Sequence, residues 1–221
     1  IALEVILTIQ GIISGSRASA SVFERAVGYD TLIDAIQSAR GSDVISRQLY
    51  DALVNFIVDG NVDAHRGFVD VSLRNSDALK MMLTLFNKLG ARDTLKDELI
   101  QLLRTTLTSS VTSRATANAA DVMDFLLEWY MDADRRQTVL EVIALCSSFS
   151  ISTRHVRHMF KLLQTDEVSE DDKLGLVRML TNAALHDGPS TFFDFGGPGC
   201  GIHIDKQMNL SARTGYSISM W

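Results

Sequence analysis

Proline is missing from residues 1–187 of this 221-residue chain, and its two occurrences are Pro189 and Pro198. Proline interrupts a helix by removing an N–H and clashing with the preceding turn, so no such interruption occurs over most of the chain. Cysteine is almost missing as well. Cys146 and Cys200 cannot build a disulfide framework, which excludes the small stapled secreted scaffolds and makes a reducing cytosol the expected setting. Positive charge is in deficit, with 21 Lys and Arg against 27 Asp and Glu, a net charge of -6 and a pI near 5.3. A nucleic-acid binder that neutralises phosphates needs the opposite balance, so that class is set aside. No apolar run approaches the ~18–20 residues that a membrane span requires.

What the chain has is ordinary globular material, 46% hydrophobic and 22% charged. Its length suits one large domain or two small ones, enough to bury a core without staples. It starts at Ile1 without Met and stops at Trp221 inside an apolar run, which reads as a piece of something longer.

Apolar residues recur at helical spacing over most of residues 1–187. The opening segment 2–14 reads as a helix. Ser19 reads as the cap of a short helix to residue 26, and Gly28 as its stop. Helices are then expected over 31–40 and over 42–58 with Ser42 as cap. Residues 61–75 lack a helical period and read as a loop or strand-like excursion that tucks against the helices or docks a partner. Further helices are expected from Ser76 or Asp77 to residue 89, and over 92–109, 117–130 and 135–149. Ser152 or Thr153 should cap 154–164, and Ser169 with Asp172 should cap 169–186. Leu95, Leu99, Leu102, Leu103 and Leu107 form one stripe. In 135–149 little polar face is left, so burial on several sides is expected.

About ten helices joined by short connections, in units of about 35–45 residues, predict an all-α fold: an armadillo-like or HEAT-like α-solenoid, with a compact bundle as its rival. The last residues, 188–221, are different material. Six of the fourteen glycines lie there, and Phe192, Phe193, Phe195, Ile202, Ile204, Ile218 and Trp221 stand in β-prone, turn-punctuated stretches. They read as the first strands of a β-domain, which must pack, disorder or self-associate.

The run Gly188–Ile202, followed by Tyr216–Trp221, resembles the junction in the BEACH-domain proteins (the beige, neurobeachin and Alfy group) where an armadillo-type helical region meets a concanavalin A-like β-sandwich. Val122–Trp129 and residues 150–163 are similar to helices just upstream of that sandwich. The resemblance covers residues 115–221, with Gly28-Tyr29 suggestive before them. It implies a large cytosolic scaffold in membrane trafficking or selective autophagy, resting peripherally on endomembranes. It divides the chain into a helical region, 1–187, and a truncated sandwich, 188–221.

No chemistry-bearing motif stands out. The run Gly196–Gly201 lacks a following Gly-Lys-Ser/Thr and reads as a strand connection rather than a phosphate loop. His155 and His158 share a helix face, but no third ligand lies nearby for zinc. Cys146 reads as a buried small hydrophobe and Cys200 lacks a histidine partner, so a thiol nucleophile is not expected. Trp129 and Tyr130 read as packing anchors. Glu24, Glu98, Glu128 and Glu141 read as solvated. No cofactor, no metal and no enzyme activity is expected.

The best functional candidate is the face carrying Arg154, His155, Arg157, His158 and Lys161, five potential cations on two turns of an acidic chain. It suits a protein partner's acidic segment, or serves an adaptor for anionic lipid or a small GTPase. The bland reading is a solvated face balanced by Asp166, Glu167, Glu170, Asp171 and Asp172.

Overall fold

The computed structural model describes residues 2–14, 17–38, 45–58, 71–89 and 93–185. Among them are eleven α-helices and a single isolated β-bridge. The helices are α1 Ala2–Ser14, α2 Arg17–Ala26, α3 Gly28–Ser38, α4 Arg47–Ile57, α5 Ser76–Leu89 and α6 Asp93–Ser109. They continue as α7 Val111–Ala119, α8 Val122–Trp129, α9 Arg136–Ser147, α10 Thr153–Leu163 and α11 Glu170–Ala184. The fold is all-α, as the periodicity requires. The expectations for residues 61–70 and for the tail, 188–221, including Cys200, lie outside the described residues.

The order of packing separates a solenoid from a bundle. α1 packs on α2 and α4, α3 on α5, α5 on α7 and α8, α6 on α9, α8 on α10, and α9 on α11. Each substantial helix pairing joins elements at most three places apart in the chain. A quasi-one-dimensional stack has that signature, because each unit touches only its neighbours. One continuous core runs through it, from Ile6 and Leu32 to Leu176 and Met179. Aromatic rings mark part of its course: Tyr50 to Phe86 at 6.1 Å between centroids, then Phe86 to Trp129 at 6.4 Å.

Several sequence expectations hold. All five leucines of the α6 stripe are buried. α9 meets α6, α7, α8 and α11, and Val139, Val142 and Ile143 are fully enclosed. Gly28 adopts φ +75, the left-handed region that glycine enters without a Cβ penalty, and so turns the chain from α2 into α3. The Ser169 hydroxyl accepts the Asp172 N–H at 3.2 Å, and Ser152 accepts that of His155 at 3.2 Å.

Other starts are corrected. α2 begins at Arg17, so Ser19 lies inside it. α4 begins at Arg47, and Ser46, not Ser42, is its cap, accepting the Leu49 N–H at 3.3 Å. Buried Ile45 and Tyr50 occupy the flanking positions of a hydrophobic staple. α5 is capped by Asn75, whose Oδ1 accepts the Ala78 N–H at 3.0 Å. The segment 117–130 is not one helix. Asp121 sits at φ 54, ψ 33, and separates α7 from α8. Asp tolerates this left-handed conformation better than most residues, so the break carries no glycine to betray it. α7 itself was not expected, because its Val, Thr and Ser residues make a weak apolar pattern.

The end of the 61–75 excursion is tied down. Leu73 forms an antiparallel bridge with Val58 and is fully buried. Its N–H donates to Ser113 Oγ at 3.0 Å, and its carbonyl accepts from Thr116 Oγ1 at 3.2 Å. A buried backbone must pair its polar groups, and α7 supplies both partners.

Candidate functional site

The basic face lies on α10, which packs on α8 and α11. Met159 and Leu162 point into the core, and Val156 and Leu163 are half-buried beside them. The opposite arc presents Arg154, Arg157, Phe160 and Lys161 to solvent. A helix advances 100° per residue, so core residues at 159 and 162 force 154, 157 and 161 outward.

The five predicted residues do not form one uniform stripe. His155 turns inward: its side chain is 15% exposed and its Nε2 lies 3.2 Å from Asp124 Oδ1 on α8. Its Nδ1 is buried without a hydrogen-bond partner. Arg154 Nη2 shares the same carboxylate, 3.2 Å from Asp124 Oδ2. Asp124 thus anchors the first turn of α10 to α8. His158 is half-buried, and Arg157 and Lys161 are exposed. Among the described residues, neither Arg157 nor Lys161 makes an ion pair.

The acidic run after α10 does not balance this face. Asp172 accepts from Arg136 Nη1 at 2.7 Å and from the Ser169 hydroxyl at 2.6 Å. The Ser169 hydroxyl first, and the Arg136 guanidinium with it, hold the Asp172 carboxyl below the usual carboxylate range. Glu170 pairs with Lys173 at 2.9 Å. Asp166, Glu167 and Asp171 are exposed.

Arg136 positions this end of the stack. It is buried, its Nε donates to the Tyr130 carbonyl at 3.0 Å, and its Nη2 donates to those of Met131 and Glu167 at 3.3 and 3.4 Å. One guanidinium therefore ties the α8–α9 turn to the α10–α11 loop and to the first turn of α11. Tyr130 OH donates to the Asp172 carbonyl at 3.0 Å, and Trp129 Nε1 to Asn87 Oδ1 at 3.0 Å. Both aromatics anchor helices, as expected. Gly175 lets α11 approach α9 closely, since a Cβ there would stand 3.1 Å from Leu140 Cδ2.

Three glutamates expected to be merely solvated lace helices together instead. Glu98 accepts from Arg47 at 2.7 Å, Glu128 from Asn87 at 2.7 Å, and Glu141 pairs with Arg104 at 2.9 Å. Such partners lie two or three helices apart in the chain, so their meeting is invisible in local spacing. Glu24 is exposed. Cys146 is a buried free thiol, and burial pushes its pKa up to about 12, far from the thiolate a nucleophile needs. No group of three or more His, Cys, Asp or Glu side chains is gathered for a metal among the described residues. None of the described helices is long and apolar enough to cross a membrane.

Sequence reasoning passed over Phe160, which is 55% exposed at the edge of the cationic arc. It stands three residues from Arg157 and one from Lys161, off the arc of Met159 and Leu162. A helical projection of α10 contains that signal.

Neighbour-only packing and one core that draws buried residues from ten of the eleven helices, with Phe23 of α2 packed against it, define an α-solenoid, a protein class that builds surface rather than enclosing a pocket. A family model described as the Neurobeachin alpha solenoid region matches residues 1–183. The chain belongs to that family, and it is a solenoid segment of the BEACH-protein kind. It is similar to BEACH domain-containing protein B of Arabidopsis thaliana, with 25% identity over 230 residues, covering 99% of this chain and 8% of that protein. The chain therefore spans less than a tenth of that relative. No solved structure matches it.

Proposed function

We propose that this chain is a non-catalytic interaction segment of a large BEACH-family scaffold that works on the cytoplasmic side of endomembranes in trafficking or autophagy. One observation carries the reading: the family match falls on a stack of helices in which the outward Arg157 and Lys161 of α10 make no ion pair among the described residues. A stack of this kind holds partners along an extended surface. The face around Arg154, Arg157, His158 and Lys161 is the binding surface, with His155 serving to hold α10 on α8.

Proximity labelling in cells tests this. The chain fused to a labelling enzyme should mark cytoplasmic proteins of endomembranes above the enzyme alone. A labelled set drawn from the nucleus, or none above the control, overturns the reading.

A second reading, an adaptor for anionic lipid or a small GTPase, is favoured by Phe160 among cations, since an aromatic beside basic residues suits a membrane interface. Co-sedimentation with phosphatidylserine or phosphoinositide vesicles at low and physiological salt separates it from a protein partner.

A further inference from the structure

We propose that the outer face of α10 docks an acidic protein segment in extended form, with carboxylates at alternate positions and an apolar residue beside them. This rests on the scaffold reading and names its partner's chemistry. Arg157 and Lys161 are exposed, four residues apart, and without ion-pair partners among the described residues. Four residues of helix rise about 6 Å. Same-side residues of an extended strand recur about every 7 Å, so an acidic–x–acidic run meets both cations in register. Arg154, already shared with Asp124, extends the track by one turn toward the α10 N-terminus.

Phe160 supplies the apolar half of the recognition. It lies 55% exposed at the edge of the arc, level with the gap between Arg157 and Lys161. A purely electrostatic face would have no use for it, whereas an apolar partner residue would bury it and fix the register.

The charges around α10 favour a narrow segment over a membrane plane. Asp166, Glu167, Glu170 and Asp171 follow α10 directly and are exposed. A broad anionic surface spreads beyond one helix face and is repelled by every exposed carboxylate it approaches within a Debye length, about 8 Å in physiological salt. A single strand is about 5 Å wide and can lie along the cations alone.

The test is selection from a random peptide display library on the full chain, with Arg157→Glu/Lys161→Glu as counter-target and equal folding checked by circular dichroism. Enriched peptides should carry the acidic–x–acidic pattern with a neighbouring apolar residue. Synthetic copies should bind about tenfold more weakly to the charge-reversed chain, because two attractions become repulsions. Phe160→Ser should cost about fivefold, and only for peptides that keep their apolar residue. Peptides without acidic character, or peptides that bind the reversed chain equally, overturn the inference while the scaffold reading stands on its labelling result. Binding to phosphatidylserine vesicles with no acidic peptide enriched overturns it in favour of a lipid surface.

Discussion

The first helix and the fifth meet fates opposite to those their compositions suggest. α1 is the more hydrophobic per residue, yet Ile6 is its one fully buried residue among those described, and Val5, Leu7 and Ile12 are exposed. α5 buries Ala78, Leu79, Met81, Met82, Leu83, Leu85 and Phe86. The difference lies in the neighbours. α5 is surrounded by α3, α4, α7 and α8, while α1 meets α2 and α4. In a one-dimensional stack, burial is conferred by the next layer and not by the helix's own composition.

The sharpest way to break this comparison is to remove the same atoms from each helix. Leu83→Ala should cost about 3 kcal/mol or more, because the cavity is enclosed on all sides. Leu7→Ala, at a half-exposed position, should cost under about 1 kcal/mol. Urea denaturation of the two variants measures both, and equal losses would refute the contrast.

Next in size is Arg136, which extends the well-buried regime to the C-terminal helices. Arg136→Ala should cost about 3 kcal/mol, since it uncovers three carbonyls and the Asp172 carboxylate. Arg136→Lys should recover little of that, because an ammonium cannot reach all four acceptors from one planar fork. Denaturant midpoints of the two variants should lie close together.

A smaller effect probes the exposed end. Gly28→Ala must hold φ +75 with a Cβ, at a cost of about 1 kcal/mol. Open space surrounds that Cβ, so the cost is conformational and not steric. A thermal melt within error of wild type would show that the α2–α3 turn relaxes freely.

Acid should weaken the C-terminal clasp gradually. The Asp172 carboxyl is held below its unfolded value by Ser169 and Arg136. Its contribution is complete above about pH 4, the unfolded carboxylate value, and is lost as pH falls through the depressed folded value. Asp172→Asn should therefore flatten the decline of stability below about pH 4. A pH series of denaturation midpoints that runs parallel in the two proteins would contradict this.

Smallest of all are the surface laces. Lys80→Ala removes a 2.6 Å pair with Asp121 whose members are both 52% exposed, and it should shift stability by less than about 0.5 kcal/mol.

Much of this fold was legible from spacing. The α6 stripe, the enclosure of α9, the Ser152 and Ser169 caps and the glycine turn at Gly28 each express a rule confined to a few neighbouring residues. The misses share another cause. Asn75 competes with Ser76 and Asp77 as a cap on equal local terms, and its selection coincides with Nδ2 donating to Tyr29 OH, 46 residues away, at 3.0 Å. The break at Asp121 coincides with a pair to Lys80 on α5. On α10, His155 lies four residues before Met159 and seven before Leu162, so its inward turn is legible on the helix wheel, whereas its sharing of Asp124 on α8 with Arg154, which leaves Arg157 and Lys161 to solvent, is not. Phe160 was legible on the helix wheel, and its exposure singles it out.

By itself the sequence determined that the described chain is helical, where most helices lie and which stripe of each is apolar, because proline absence, periodicity and caps act within one or two turns. Only the tertiary structure decided which apolar stripes are covered, which charges are spent on other helices and which remain available on α10. Those outcomes depend on partners far apart in the chain, brought together by layer-on-layer packing whose contacts no local pattern encodes.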